Sequence, residues 1–331
     1  MSSSRHIYDV KLRPAVGSSF QPTGFPDLGA ATFERFEGEK AVDSLIVESV
    51  QSMANRLEGK AWDDASQQPV DTMTGLPYVR VVRSGSGEYL TSSRTEAHRL
   101  FSAFIRDSTW EGQNGDAVLL KKLDIHPDTP LPMREMAKAI VALDPFSLLH
   151  GVFFAGQTKA KGARPAWPAQ PKFTRAVSAV IEAHDVRPVV SGGRKSDSVR
   201  HRSDDAVEGA SSEGYGSVPF TRTEWSARKI LATFAVDEEL IRSYGLPGVS
   251  ADLLVAIAMW EIRSLIDGGL RLRTACDLEV ADAPQVRRGD PLPELAALDA
   301  QVCELAAASA EVLGDGKAIT VEWAAKNVTK A

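Results

Sequence analysis

The sequence predicts an α+β fold built on an antiparallel sheet. Three observations carry this. Segments with a two-residue apolar period and segments with a three-to-four-residue period both occur, so neither an all-helical nor an all-strand chain fits. Their alternation lacks the regular spacing of repeated βαβ units. Strands also come as local pairs: Pro77 to Val82 and Glu88 to Ser92 flank Ser84-Gly85-Ser86-Gly87, the composition of a hairpin turn. At 331 residues, 43% hydrophobic and 25% charged, the chain can bury a sizeable core as one large domain or two ordinary ones.

Taken in order, Ile7 to Arg13 alternates as a first strand, and Gly17 to Leu28 is a Gly/Pro/Ser loop. Val42 to Leu57 reads as an amphipathic helix, because Val42, Leu45, Ile46, Val50, Met53, Ala54 and Leu57 recur at threes and fours, with Gly59 as its stop. Helices are predicted over Thr95 to Arg106 and Met133 to Leu143, strands over Phe146 to Phe154 and Phe173 to Ala183. Arg187 to Thr223 is rich in Gly and Ser, has no sustained period and reads as a long functional or disordered loop. Trp225 to Val236 fits strand or helix. Ser250 begins a buried helix through Ile266. Leu270 to Val280 reads as one strand, with Leu270, Leu272, Thr274, Cys276, Leu278 and Val280 on one face and Arg271 and Arg273 on the other. A last helix runs from Leu292 to Leu313.

Net charge is −6, but from Gly156 to Arg202 ten Lys/Arg oppose three acids, a local +7 that leaves −13 elsewhere. Phosphate binding answers to the local field within a Debye length of roughly 8–10 Å, so the acidic average does not exclude a nucleic-acid partner. The same stretch also fits a plain solvated surface. Two distant cysteines, Cys276 and Cys303, exclude a disulfide framework and a multi-cysteine zinc site. The longest apolar run, Leu253 to Trp260, is too short to span a bilayer, and a cytoplasmic protein with no membrane partner is expected.

Enzyme signatures fail on chemistry. Gly151 to Thr158 has the outline of a P-loop, but Gln157 stands where the phosphate-binding lysine belongs. The six histidines show no metal-ligand spacing, and no cofactor or metal is expected. Signals for RNA agree with one another. Arg271 and Arg273 lie about 7 Å apart along a strand, as bases for phosphates or as partners of Asp277 and Glu279. Gln51, Ser52, Asn55 and Arg56 place neutral and basic hydrogen-bonding groups on one helical face. Arg187 to His201 mixes glycines with spaced cations.

Five segments go further: GSSFQPTGFPDLGAATF (residues 17–33) running on to LIVESVQSMANRLE (45–58), then LLHGVFFAG (148–156), GYGSVPFTRTEW (214–225) and GLRLRTACDLE (269–279). In combination they resemble the backbone subunit of type I-G (I-U) CRISPR Cascade complexes, in the RAMP superfamily, from about residue 5 to about residue 280. The resemblance implies an RRM-like (ferredoxin-like) palm over 1–186 and 224–331, with fingers inserted at about 60–170, and a β-hairpin thumb over 187–223. It implies a non-catalytic subunit that stacks head-to-tail with further copies of itself along the CRISPR RNA. The guide then pairs with target DNA. Further partners are the complex's repeat-processing and large subunits. Carried over by motif, Ser18, Ser19 and Gln21, Gln51, Ser52 and Arg56, and Arg271 and Arg273 contact RNA, with Arg194 and Lys195 near the thumb tip; Asn55 on the same helical face and Lys159, Lys161 and Arg164 of the basic stretch complete the expected RNA-binding set. Residues 160–168 depart from the more arginine-rich approach the family leads one to expect. An alternative is a type III-like ribonuclease that cuts target RNA with Asp27 in the first loop.

Overall fold

A computed structural model describes residues 4–25, 29–161, 165–196 and 217–324. Strand β1 (Arg5–Pro14) buries His6, Tyr8, Val10 and Leu12 on one face, the period-two pattern its sequence shows. Strands β2 (Thr32–Glu37) and β3 (Lys40–Glu48) form a hairpin, and helix α1 spans Val50–Gly59.

The helix predicted over 42–57 is therefore half strand. β3 pairs in unbroken register with β2, so Val42 and Leu45 lie on opposite faces, and Ser44, Val47 and Glu48 are buried as well. Burial on both faces removes the two-residue period and leaves apolar spacings of three and four that imitate a helix. The helix begins only where the Ser49 hydroxyl accepts the Ser52 N–H at 3.2 Å, with Ser49 extended.

β4 (Tyr78–Arg83) and β5 (Tyr89–Ser92) form the predicted hairpin, with Gly85 and Gly87 at positive φ. The helix expected over 95–106 is broken, because Ser102 recaps it. Only a 3₁₀ turn (Arg99–Phe101) and a short helix (Ala103–Arg106) remain. α2 spans Met133–Leu143 as predicted. The strand expected over 146–154 is instead a helical turn, Phe146–Leu149, started by Pro145 and by Asp144 accepting the Phe146 N–H. A two-residue strand, Val152–Phe153, follows.

β6 (Val177–Ser196) and β7 (Ser217–Asp237) pair antiparallel from Val177–Val236 to Ser196–Ser217. Residues 187–196 and 217–223, read from composition as loop, are thus paired strands. Arg187, Pro188, Val190 and Thr223 are exposed, so this ribbon needs no apolar period, and its cohesion comes from the backbone ladder. α3 (Gly248–Asp267) starts after Pro247. Ser250, predicted as its cap, lies inside the first turn with its hydroxyl 3.2 Å from that of Ser309.

The long strand predicted over 270–280 is a hairpin, β8 (Leu270–Arg273) and β9 (Cys276–Val280), turning through Ala275 at φ 59°. A two-residue turn keeps the alternation in phase, so the sequence pattern does not reveal it. β10 (Gln285–Arg288), α4 (Leu295–Ala308, broken at Ser309) and β11 (Ala318–Trp323) are the last of the described elements.

The main sheet runs β8-β9-β1-β7-β6-β3-β2, antiparallel throughout, with β10 also on β1. α1 packs on β6, α3 on β7, and the two helices touch each other. α4 lies on α3. In the second sheet β11 runs parallel to β4, and Thr109–Trp110 and Gln113–Asn114 follow beyond β11. The α+β fold with an antiparallel main sheet is as predicted. The β6–β7 ribbon bulges at Asp185 (φ 52°) and continues past the sheet. Among the described residues, its one backbone pairing with another segment out there is the Phe20–Trp225 bridge. No helix among the described residues is long and apolar enough to cross a membrane.

Candidate nucleic-acid interface

The loop after β1 is stitched down by its own backbone. Phe20 exchanges N–H···O bonds with Trp225 at 2.8 and 2.9 Å, Gln21 donates to the Ala275 carbonyl at 2.7 Å, and Thr23 donates to that of Val47 at 3.0 Å. Phe20 is buried beneath it. Ser18 and Gln21 are thereby fixed between the ribbon root, the β8–β9 turn and the end of β3. Ser19 Oγ donates to Glu224 Oε2 at 2.6 Å. That bond, with Arg222 beside it, holds the Glu224 carboxyl below its usual range.

At the centre lies Glu48, the last residue of β3, whose side chain is 1% exposed. It pairs with Arg273 of β8 and with Arg56 of α1, the latter at 3.4 Å. Arg273 Nη1 also donates to the carbonyls of Gln21 (3.0 Å) and Val47 (3.1 Å), and Arg56 Nη2 to that of Leu272 (2.5 Å). The expectation that Arg271 and Arg273 share one exposed face is corrected here. The turn at Ala275 ends the strand, and Glu48 draws Arg273 inward.

Arg271 stays exposed. It stands opposite Asp277 in register but makes no ion pair among the described residues. Gln51 and Asn55 are exposed on α1, and Ser52 is half-buried beside them. Between α1 and the β8–β9 hairpin runs an open cleft of about 510 Å³, lined by Arg56, Lys60, Gly268, Gly269, Arg271 and Asp277.

The structure thus gathers Ser18, Ser19, Gln21, Arg56, Arg271 and Arg273 around one junction, with the polar face of α1 alongside. Lys159 and Lys161 are exposed but do not line the cleft. Arg194 and Lys195 stand near the end of β6, in register with Pro219 and Val218. Arg164 and Asp27 lie outside the described residues. Arg187, within the basic stretch, is compensated by Asp43 (3.2 Å) and Asp185 (3.3 Å).

Sequence reasoning missed Glu48, Lys60 and the ionic network behind α1. Glu58, on the buried side of α1, takes a bidentate bond from Arg99 at 2.6 and 2.6 Å, and Arg99 Nη1 reaches the Gly151 carbonyl at 3.0 Å. His150 Nε2 lies 2.9 Å from Glu261, and Arg94 lies 2.9 Å from Asp144. Burial lowers His150 to about 4 and pushes Glu261 well up. The segment LLHGVFFAG thus supports α1 from behind. Its partners are far apart in sequence, and no local pattern announces them. Among the described residues no cluster of His, Cys, Asp or Glu is arranged to hold a metal.

A family model described as CRISPR-associated protein GSU0053 matches residues 7–188. Among solved structures, the chain is similar to one from a CRISPR RNA-guided surveillance complex, pre-nicking, at 14% identity over 93% of this chain and 87% of that one, with a TM-score of 0.39. It is also similar to Csc2 of Thermofilum pendens, at 8% identity over 95% and 82%, with a TM-score of 0.33. No curated protein matches.

Proposed function

The chain belongs to the CRISPR-associated protein GSU0053 family, a RAMP-type family, and from that premise we propose that it is a non-catalytic, CRISPR RNA-binding backbone subunit of a type I surveillance complex. The observation that carries the reading is the convergence of the first loop, α1 and the β8–β9 hairpin on Glu48. It sets hydrogen-bonding groups and the free Arg271 on one open surface. Such neutral donors and cations suit a sugar–phosphate backbone and carry no sequence information. Sequence is then read by guide pairing with target DNA.

Strand order supports an RRM-like palm. β9-β1-β7-β6, with α1 between the first and second of these strands in the chain and α3 between the third and fourth, is the split βαβ arrangement. The β6–β7 ribbon is the thumb in this reading, and the region around the second sheet supplies the fingers. Copies stack head-to-tail along the guide, in the cytoplasm, with the repeat-processing and large subunits at the ends. The test is co-expression with a CRISPR array. The expected product is a particle containing RNA of defined length and several copies of this chain. RNA-free monomer would overturn the reading.

A further inference from the structure

Lys60 follows α1 directly, and its backbone N–H closes the helix on Leu57 O at 3.1 Å. Its ammonium makes no hydrogen bond or ion pair among the described residues. The side chain lies over Gly268, at the end of α3. A Cβ built on Gly268 would stand 2.5 Å from Lys60 Nζ, and 3.0 Å from the Ser264 carbonyl. Gly268 has φ −84° and ψ 1°, a conformation open to any residue, so conformation does not call for glycine there. Gly269 differs: at φ 77° it needs glycine for its backbone. What Gly268 supplies is room.

We propose that Lys60 binds a backbone phosphate in the α1 cleft together with Arg271, and that Gly268 leaves the space in which its ammonium lies. This rests on the RNA-binding reading above and adds a position that reading does not include. Lys60, Arg271 and Arg56 face one open cleft whose single acidic lining residue is Asp277. Glu48 already occupies Arg56, which leaves Lys60 and Arg271 as the uncommitted cations. The carboxyl end of α3 draws a cation toward Gly268 without neutralising it, which holds Lys60 at the cleft when RNA is absent. Charge-assisted bonds to phosphate are the strongest such a surface makes.

The experiment measures anisotropy of a labelled single-stranded RNA with the full chain across a salt series, alongside melting temperatures. Lys60→Ala should weaken binding roughly tenfold, as for one charge-assisted contact. It should flatten the log–log salt slope by about 0.7, one phosphate on a single strand. Lys60→Arg should retain both. Gly268→Ala should weaken binding by more than its melting temperature accounts for, since its methyl also meets the Ser264 carbonyl at 3.0 Å, and should add nothing to the binding loss in the Lys60→Ala background, because it acts there by displacing that ammonium. Unchanged affinity and slope in Lys60→Ala overturns the proposal while wild-type binding leaves the parent reading intact. So do additive losses in the double variant, or losses that merely track melting temperature, the signature of a helix cap. Wild-type chain that binds no RNA overturns both.

Discussion

Arg271 and Arg273 are two residues apart and belong to different kinds of chemistry. Arg273 neutralises a carboxylate that is 1% exposed and satisfies two carbonyls, so Arg273→Glu sets a second acid against Glu48 and leaves it only the 3.4 Å contact with Arg56. Loss of one partner of such a pair costs about 3 kcal/mol, and urea unfolding should show it. Arg271→Glu should leave the unfolding curve in place and weaken RNA binding; equal destabilisation by both variants would refute the division. A second residue-scale effect concerns pH. His184 is buried, 3.2 Å from the Ser44 hydroxyl, and is held at about 4 by burial and by Arg35 and Lys229. Its folded pKa lies below the unfolded value of about 6.5, so the unfolded chain binds more protons between the two. Stability is therefore full above pH ~6.5 and falls as pH drops toward 4. His184→Gln should remove that share of the acid slope in a melting-temperature series, and an unchanged slope would show that His184 does not contribute.

At the scale of elements the ribbon is the separable part. Beyond Asp185 its two strands pair with each other, and the Phe20 bridge is their one further backbone pairing among the described residues. Gly192 faces Thr221 in register, so replacing residues 193–220 by an Asn-Gly turn closes a shorter hairpin of the same hand. The expected product is a chain with unchanged melting temperature that loads onto guide RNA poorly, because a head-to-tail filament needs each copy to reach its neighbour through two different surfaces. Chemical probing of the assembled RNA should lose its periodic reactivity. If assembly with the shortened chain is as efficient as with wild type, the ribbon is not the thumb.

For the whole molecule the last described strand matters more than its position suggests. β11 lies between β4 and Thr109–Trp110, with Val321 buried, so a segment more than 200 residues later in the chain joins the two. Ending the protein at residue 316 should expose Val79 and Val81, lower the melting temperature by several degrees and raise aggregation through the opened edge. A truncated chain as stable as wild type would show that the second sheet closes without it. The non-catalytic reading is likewise tested on the whole protein with its RNA. Complementary RNA with magnesium should stay intact with both wild type and Asp27→Ala, and regularly spaced products lost in the variant would restore the ribonuclease alternative.

What the sequence determined by itself is local: the alternation of β1, the Gly-Ser hairpin between β4 and β5, the period of α2, the all-round apolar α3 and the α+β class. These follow from side-chain period and turn chemistry within a few residues. The motifs also carried the family, and the polar face of α1 was legible from Gln51 to Arg56. Only the tertiary structure decided where β3 ends and α1 begins, because a strand buried on both faces counterfeits the helical period. It alone separated Arg271 from Arg273, through a turn that preserves alternation and a carboxylate 225 residues away. It alone set Lys60 over Gly268. Ion pairs and close approaches across such separations are settled by packing, and packing leaves no period in the chain.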